Sequence, residues 1–244
     1  MKRLRVIAGP NGSGKTTLYR NLKDKVPLYD FINADEIKLL LEKDHRMILP
    51  FSVTSGELQR SISETSFPDD VKQLFLEGQI SSSENVISFT HDSINTYSVA
   101  AFADFLRNAY LKRGLSFTVE TVFSHPSKIK FLKSAQKLGY RIYLYLIATD
   151  DPNLNIRRVK QRVDLGGHDV PHEKIISRYN RCLENFYDSL GFAYRAYFWD
   201  NSARQMRLFA ELKPDRRLDT LDHPVPNWFS NSILKKIFRQ KKFK

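Results

Sequence analysis

Short apolar runs alternate with amphipathic stripes along most of this chain. Leu4-Arg5-Val6-Ile7-Ala8 predicts a buried strand, and a helix follows from about Lys15 to Asp24. Pro27 breaks the chain, and Tyr29-Asp30-Phe31-Ile32-Asn33 predicts a second strand. Asn33 or Asp35 is placed to cap the next helix, whose stripe is Ile37, Leu40 and Leu41. A further stripe, Val99, Phe102, Leu106, Ala109 and Tyr110, ends near Gly114. Leu115 to Val119 predicts a third strand, with Glu120 just past it. Ile129, Leu132, Ala135 and Leu138 mark a helix closed by Gly139, and Arg141 to Ile147 is the clearest buried strand. A basic helix spans about Asn153 to Asp164, Gly166-Gly167 stops it, and another helix starts near Pro171. Tyr194 to Trp199 is the fifth strand.

Strands alternating with helices predict an α/β fold: a five-stranded, mostly parallel sheet with helices on both faces. Ligands of such folds bind outside the carboxyl ends of the strands. From about residue 42 to 98 the pattern fades. This stretch is rich in Ser and Thr, is broken by Pro50 and Pro68, and reads as an insertion of short helices or strands at the rim of the site.

The chemistry sits where that rule puts it. Gly9-Pro10-Asn11-Gly12-Ser13-Gly14-Lys15-Thr16 fits the phosphate-loop pattern G-x-x-x-x-G-K-[ST], with a strand before it and a helix after it. Glycines let backbone N–H groups turn toward phosphate oxygens, and the helix N-terminus adds its positive end. Lys15 is expected to reach the β- and γ-phosphates of ATP or GTP, Thr16 to ligate Mg²⁺, and Thr17 to join the nucleotide contacts. Asp35 and Glu120 follow the second and third strands. Asp35 is the expected base for an acceptor hydroxyl, with helix capping as its alternative. Glu120 is an acid for the metal or substrate, with a solvated strand end as its alternative.

Arg158 and Arg162 are four apart and share a helix face, with Ile156, Val159 and Val163 turned inward. The turn Gly166-Gly167-His168-Asp169-Val170-Pro171 follows, and then Arg178 and Arg181. A mobile basic lid over nucleotide phosphates has this layout, with His168 either on phosphate or capping the hinge. A solvated basic helix is the alternative.

Composition sharpens the picture in three places. The single cysteine, Cys182, excludes an intrachain disulfide framework and fits a reducing cytoplasm. No stretch approaches the roughly 18–20 apolar residues that span a bilayer. The net charge of +12 is compatible with nucleic acid, an acidic membrane surface or phosphate ligands. Half of that excess lies in residues 225–244, which hold six bases and no acid.

Together these residues resemble the zeta-toxin family of P-loop kinases, in its chromosomal branch of predicted ABC-type ATPases. Ala8–Leu18, Phe31–Ile37, Phe117–His125, Tyr140–Tyr179 and Trp199–Ser202 carry the resemblance. Its marks are the phosphate loop, Asn33-Ala34-Asp35, Val119-Glu120-Thr121 and Gly167-His168-Asp169-Val170-Pro171. The resemblance implies an adenylate-kinase-like fold and phosphorylation of a sugar hydroxyl of UDP-N-acetylglucosamine. It implies Lys15 as the Walker lysine, Asp35 as the base, Glu120 as a second acid and Arg162 as a lid arginine. The family's substrate-binding glutamate falls at Asp104, and its second arginine falls near His168, with Arg178 as the replacement. An antitoxin protein and a small-molecule phosphoryl acceptor are the partners it suggests.

In the tail, Trp228, Phe229, Ile233, Leu234, Ile237 and Phe238 recur at helical spacing among bases. A packed terminal helix, membrane or partner contact, and nucleic acid are the alternatives. The expected organisation is a kinase-like domain over 1–223, carrying the 42–98 insertion, and a basic amphipathic tail over 224–244.

Overall fold

The computed structural model of the protein describes residues 1–167 and 169–240. Two compact units form: Met1–Phe31 with Gly114–Lys244, and Ile32–Arg113.

In chain order the elements are β1 (Arg3–Ala8), α1 (Lys15–Leu22), β2 (Asp30–Ile32), α2 (Ala34–Asp44), β3 (Arg46–Ile48), α3 (Ser55–Ser63), α4 (Asp69–Leu76), β4 (Ile80–Ser83), β5 (Val86–Phe89), α5 (Thr96–Arg113), β6 (Phe117–Thr121), α6 (Ser127–Lys137), β7 (Arg141–Ala148), α7 (Pro152–Asp164), α8 (His172–Ser189), β8 (Arg195–Asp200), β9 (Arg207–Leu212) and β10 (Leu218–Thr220). The described chain ends in α9 (Asn227–Phe229), a π-helical turn over Ser230–Leu234 and α10 (Lys235–Gln240). No described helix is long and apolar enough to cross a membrane.

The main sheet has seven strands in the order β10-β9-β8-β7-β1-β6-β2. β6, β1, β7 and β8 run parallel, and β9 and β10 are added antiparallel. The five expected strands are present, so the α/β reading with a mostly parallel sheet holds, but the count of five is corrected to seven. β1 is buried at every position from Leu4 to Ala8, so both of its faces are covered. On one face Ile7, Tyr145 and Ile147 pack against Leu18 and Leu22 of α1. Arg5 is buried yet satisfied: its Nε donates to Pro27 O at 2.8 Å and its Nη1 to the Tyr145 hydroxyl.

Two stripe positions differ from expectation. Leu40 is 38% exposed and Leu138 is 43% exposed, because only Ile37 and Leu41 of α2, and Leu132 and Ala135 of α6, face the core. Glu120 lies inside β6, opposite Ile7, rather than past its end.

The Ile32–Arg113 unit contains its own three-stranded antiparallel sheet, ordered β3-β5-β4, with α2, α3, α4 and α5. Phe75, Phe89 and Phe102 are buried in it together with Leu58, Ile62 and Ile87. Arg113 pairs with both carboxylate oxygens of Glu57 at 2.9 Å and lies 4.3 Å from the Phe51 ring centroid. Residues 42–98, where the sequence pattern was faintest, thus hold α3, α4, a 3-10 turn over His91–Ser93 and a small sheet.

The C-terminal segment is packed. Trp228, Phe229, Ile233 and Ile237 are buried, whereas Phe238 is 76% exposed. Trp228 and Phe229 join Phe186, Phe198 and Phe209 in edge-on aromatic pairs with centroids 4.7–6.0 Å apart. That is the packed terminal helix among the alternatives above.

Candidate nucleotide-binding site

β1 ends at Ala8, and the phosphate loop leaves from the interior of the sheet between β6 and β7. Gly12 has φ 72° and Gly14 has φ 98°, left-handed conformations that suit glycine. Gly14 is the N-cap of α1, and Leu18 N donates to Gly14 O at 2.9 Å, so the loop runs directly into the helix. The half-buried Lys15 donates from Nζ to Pro10 O at 3.0 Å, folding back over the loop.

Thr16 Oγ1 donates toward the Glu120 carboxylate, 3.1 Å from Oε1 and 3.2 Å from Oε2. This joins the start of α1 to the carboxyl end of β6 through two hard oxygen donors. Thr17, next on α1, is exposed.

Two asparagines that sequence reasoning gave no role lie against the loop. Asn155 of α7 is fully buried, and its Nδ2 donates to Asn11 O at 2.6 Å. Asn201, just past β8, donates from Nδ2 to Ser13 O at 2.9 Å. A signal for the first was available. Asn155 lies four residues before Val159, so a polar side chain occupies the inward stripe of α7. Three atoms of the loop and of α7 are buried without a hydrogen bond: Asn11 Oδ1, Ser13 Oγ and Arg158 Nη1.

α7 begins close to the loop and carries Arg158 and Arg162. Asp151 caps the helix by accepting from Asn153 N at 2.8 Å, and Pro152 occupies the first turn. Asn155, Arg158 and Arg162 fall on one face. At 1.5 Å per residue, Arg162 stands roughly 10 Å along the axis from Asn155. Val159, Val170 and Ile175 bury together and hold α7 to α8. Burial lowers the pKa of Arg158, Arg157 lowers it further, and Asp200 opposes both. A partly desolvated guanidinium is thereby held near the end of β8.

Arg178, half-buried on α8, precedes the buried Cys182 by one turn. Burial pushes the Cys182 thiol up to about 12, while nearby Lys15 pulls the other way, so this face of α8 lies close to the loop. Asn185 Nδ2 donates to Phe123 O at 2.8 Å and ties the same helix to the segment after β6. His168 lies outside the described residues.

The remaining candidates belong to the Ile32–Arg113 unit. Asn33 caps α2, accepting from Asp35 N at 2.8 Å and Glu36 N at 3.4 Å. The cap is therefore Asn33, and the Asp35 carboxylate, exposed in the first turn, is not used for it. Asp104 on α5 accepts from Arg107 Nη2 at 2.6 Å.

Residues 4–184 match the family described as AAA domain. Over 69 residues the chain is 30% identical to an uncharacterized protein of Haemophilus influenzae, and it spans about half the length of that curated relative. Among solved structures, the fold is similar to a chain of the AvrRxo1-ORF1:AvrRxo1-ORF2 complex with ATP. The TM-score is 0.56 at 15% identity, over 91% of this chain and 61% of that one. It is also similar to a chain of the PezAT chromosomal toxin–antitoxin system of Streptococcus pneumoniae. There the TM-score is 0.53 at 14% identity, over 98% of this chain and 84% of that one. At such identities the shared property is the α/β P-loop fold.

Proposed function

We propose that the chain, which belongs to the AAA domain family, is an ATP-dependent phosphotransferase of zeta-toxin type. The observation that carries this reading is the convergence of Lys15, Thr16 and Glu120. The Lys15 ammonium folds back over the loop, and the hydroxyl of the next residue donates to the Glu120 carboxylate at the carboxyl end of β6. A switch or motor protein needs the loop. A kinase also needs an acid for the acceptor and cations for the transferred group.

In this reading the loop N–H groups from Gly12 to Thr17 hold the phosphates. Lys15 neutralises charge on the β- and γ-phosphates. Thr16 and Glu120 would hold Mg²⁺, a fit supported by their hard oxygen donors, and the ion would supply charge neutralisation between phosphates. Arg158, Arg162 and Arg178 stabilise negative charge on the transferring group. Asp35 accepts the proton of the acceptor hydroxyl as that oxygen bonds to the γ-phosphorus. The bond to the β-phosphate oxygen breaks, and ADP leaves.

The acceptor is a hydroxyl of a small molecule, and the resemblance to zeta-type enzymes favours a UDP-amino sugar. Asp104 would bind that substrate. An antitoxin partner is supported by the fold shared with the PezAT chain.

The test is incubation with labelled ATP, Mg²⁺ and a panel of nucleotide sugars, nucleosides and oligonucleotides. Wild type should label a nucleotide sugar. Lys15→Ala should abolish transfer, and Asp35→Asn should bind ATP without transferring. Normal turnover by Asp35→Asn removes its role as base, and ATP binding without transfer to any acceptor defeats the phosphotransferase reading.

A further inference from the structure

The phosphate loop is gripped from behind at alternate carbonyls. Asn155 Nδ2 binds Asn11 O at 2.6 Å, and Asn201 Nδ2 binds Ser13 O at 2.9 Å. A peptide unit is planar and trans, so its C=O and N–H point in opposite directions. A donor holding Asn11 O on the outer side therefore aims Gly12 N–H toward the inner side. A donor on Ser13 O does the same for Gly14 N–H.

We propose that Asn155 and Asn201 are positioning residues that orient these two peptides toward the nucleotide's phosphates. The inference rests on the nucleotide-binding reading of the loop, and it assigns the grip to residues outside the loop motif.

The clamps are themselves fixed. A carbonyl oxygen only accepts, so each asparagine presents its NH2 group to the loop. The Asn155 Oδ1 then accepts from the Thr149 hydroxyl, and both side chains are fully buried. Thr149 O accepts from the Tyr179 hydroxyl at 2.5 Å, which ties the arrangement to α8. Asn201 is held through its backbone, where N–H donates to Ala148 O at 2.9 Å. Both clamps thus hang from the end of β7: Asn201 from Ala148, and Asn155 from Thr149 just past the strand.

The close approach of the same two residues bears on the glycines. A Cβ on Gly12 would lie 2.5 Å from Asn155 O, and one on Gly14 would lie 2.5 Å from Asn201 Nδ2. At Gly12 the backbone of α7 leaves no room for a side chain, and at Gly14 the Asn201 amide itself occupies that space.

Inverting or loosening one peptide removes one N–H from the phosphates, a loss expected to weaken binding about tenfold per clamp. The experiment is calorimetric titration of the full chain with ATP and, separately, with inorganic pyrophosphate. The variants are Asn155→Leu, Asn201→Leu and Asn201→Gln. Both leucine variants should lose about tenfold for both probes by the same factor, because the lost contact is to phosphate. Asn201→Gln, which keeps a donor, should bind within about threefold of wild type.

Wild-type affinity in a folded leucine variant overturns the proposal. So does a loss for ATP with none for pyrophosphate, which would place the contact at the base or ribose. Should the buried Asn155→Leu fail to fold, the half-buried Asn201→Leu decides. Wild type that binds neither probe overturns the nucleotide-binding reading and the clamps with it. Wild type that binds ATP but transfers nothing defeats only the phosphotransferase reading, since the clamps are judged on binding alone.

Discussion

Replacing Trp228 with alanine should cost about 4 kcal/mol of stability. The indole is 3% exposed and meets the rings of Phe186, Phe209 and Phe229 edge-on at centroid separations of 5.7–6.0 Å. Burying about 150–250 Å² of aromatic surface at 25 cal/mol/Å² gives about 4–6 kcal/mol as an upper bound, and Trp→Ala changes in cores cost about 3–5 kcal/mol. The indole Nε1 also donates to Asp200 Oδ1 at 3.3 Å. Asp200 keeps Ser202 Oγ at 2.7 Å and Arg207 Nε at 3.6 Å, so losing that one donor adds only about 1 kcal/mol. The assay is urea unfolding followed by far-ultraviolet circular dichroism, which does not depend on the removed fluorophore. The midpoint should fall with an unchanged slope. Trp228→Phe, which keeps a ring and loses the donor, should cost a smaller part of the total. A loss below about 1 kcal/mol for Trp228→Ala would refute the packing of the C-terminal segment described above.

Further outcomes follow from the buried Cys182 and the half-buried Arg113. The Cys182 thiol, fully buried with its pKa raised from 9.0 to about 12, should resist alkylation at pH 8 until the chain unfolds. The raised value also fixes a sign: the neutral thiol is favoured by the fold, so its contribution is whole below pH 9 and is lost as pH rises toward 12. Cys182→Ala should flatten that alkaline decline in a pH series of unfolding midpoints. In the Ile32–Arg113 unit, Arg113→Lys loses the two-pronged pairing with Glu57 and should cost about 1 kcal/mol. Amide exchange should accelerate in α3 and α5 and stay unchanged in β1 and β7.

The parts of the molecule legible in the sequence are those whose signals are local. The phosphate loop is dictated by backbone conformations that only its glycines adopt easily, and β1 and β7 announce themselves by continuous apolar runs. Antiparallel β9 was hidden because its pattern is diluted by charge: Arg207 and Glu211 lie on it, and Glu211 is spent on an ion pair with Arg195 at 2.7 Å. Pro214 reads as a breaker, yet it sits in the turn before β10, where Arg216 adopts φ 69°. The loop contacts of Asn155 and Asn201 were hidden for another reason, although the polar residue on the inward stripe of α7 was itself a signal. Their partners are 144 and 188 residues away, so only the folded sheet brings them to the loop. Region 42–98 scattered its apolar residues over short elements, each too brief to show a period.

The pinned loop has a consequence for where entropy is lost. Glycines enlarge the unfolded ensemble, and ordering each residue's backbone costs about 1–2 kcal/mol. In this chain Gly12 and Gly14 are immobilised when β7, α7 and the end of β8 assemble, so that cost falls on folding. An incoming phosphate then meets N–H groups already arranged, and its contacts need not first freeze a wandering loop. A glycine-rich segment with wide freedom in the unfolded chain is thus pinned once folded, and the fold bears that cost before any nucleotide arrives.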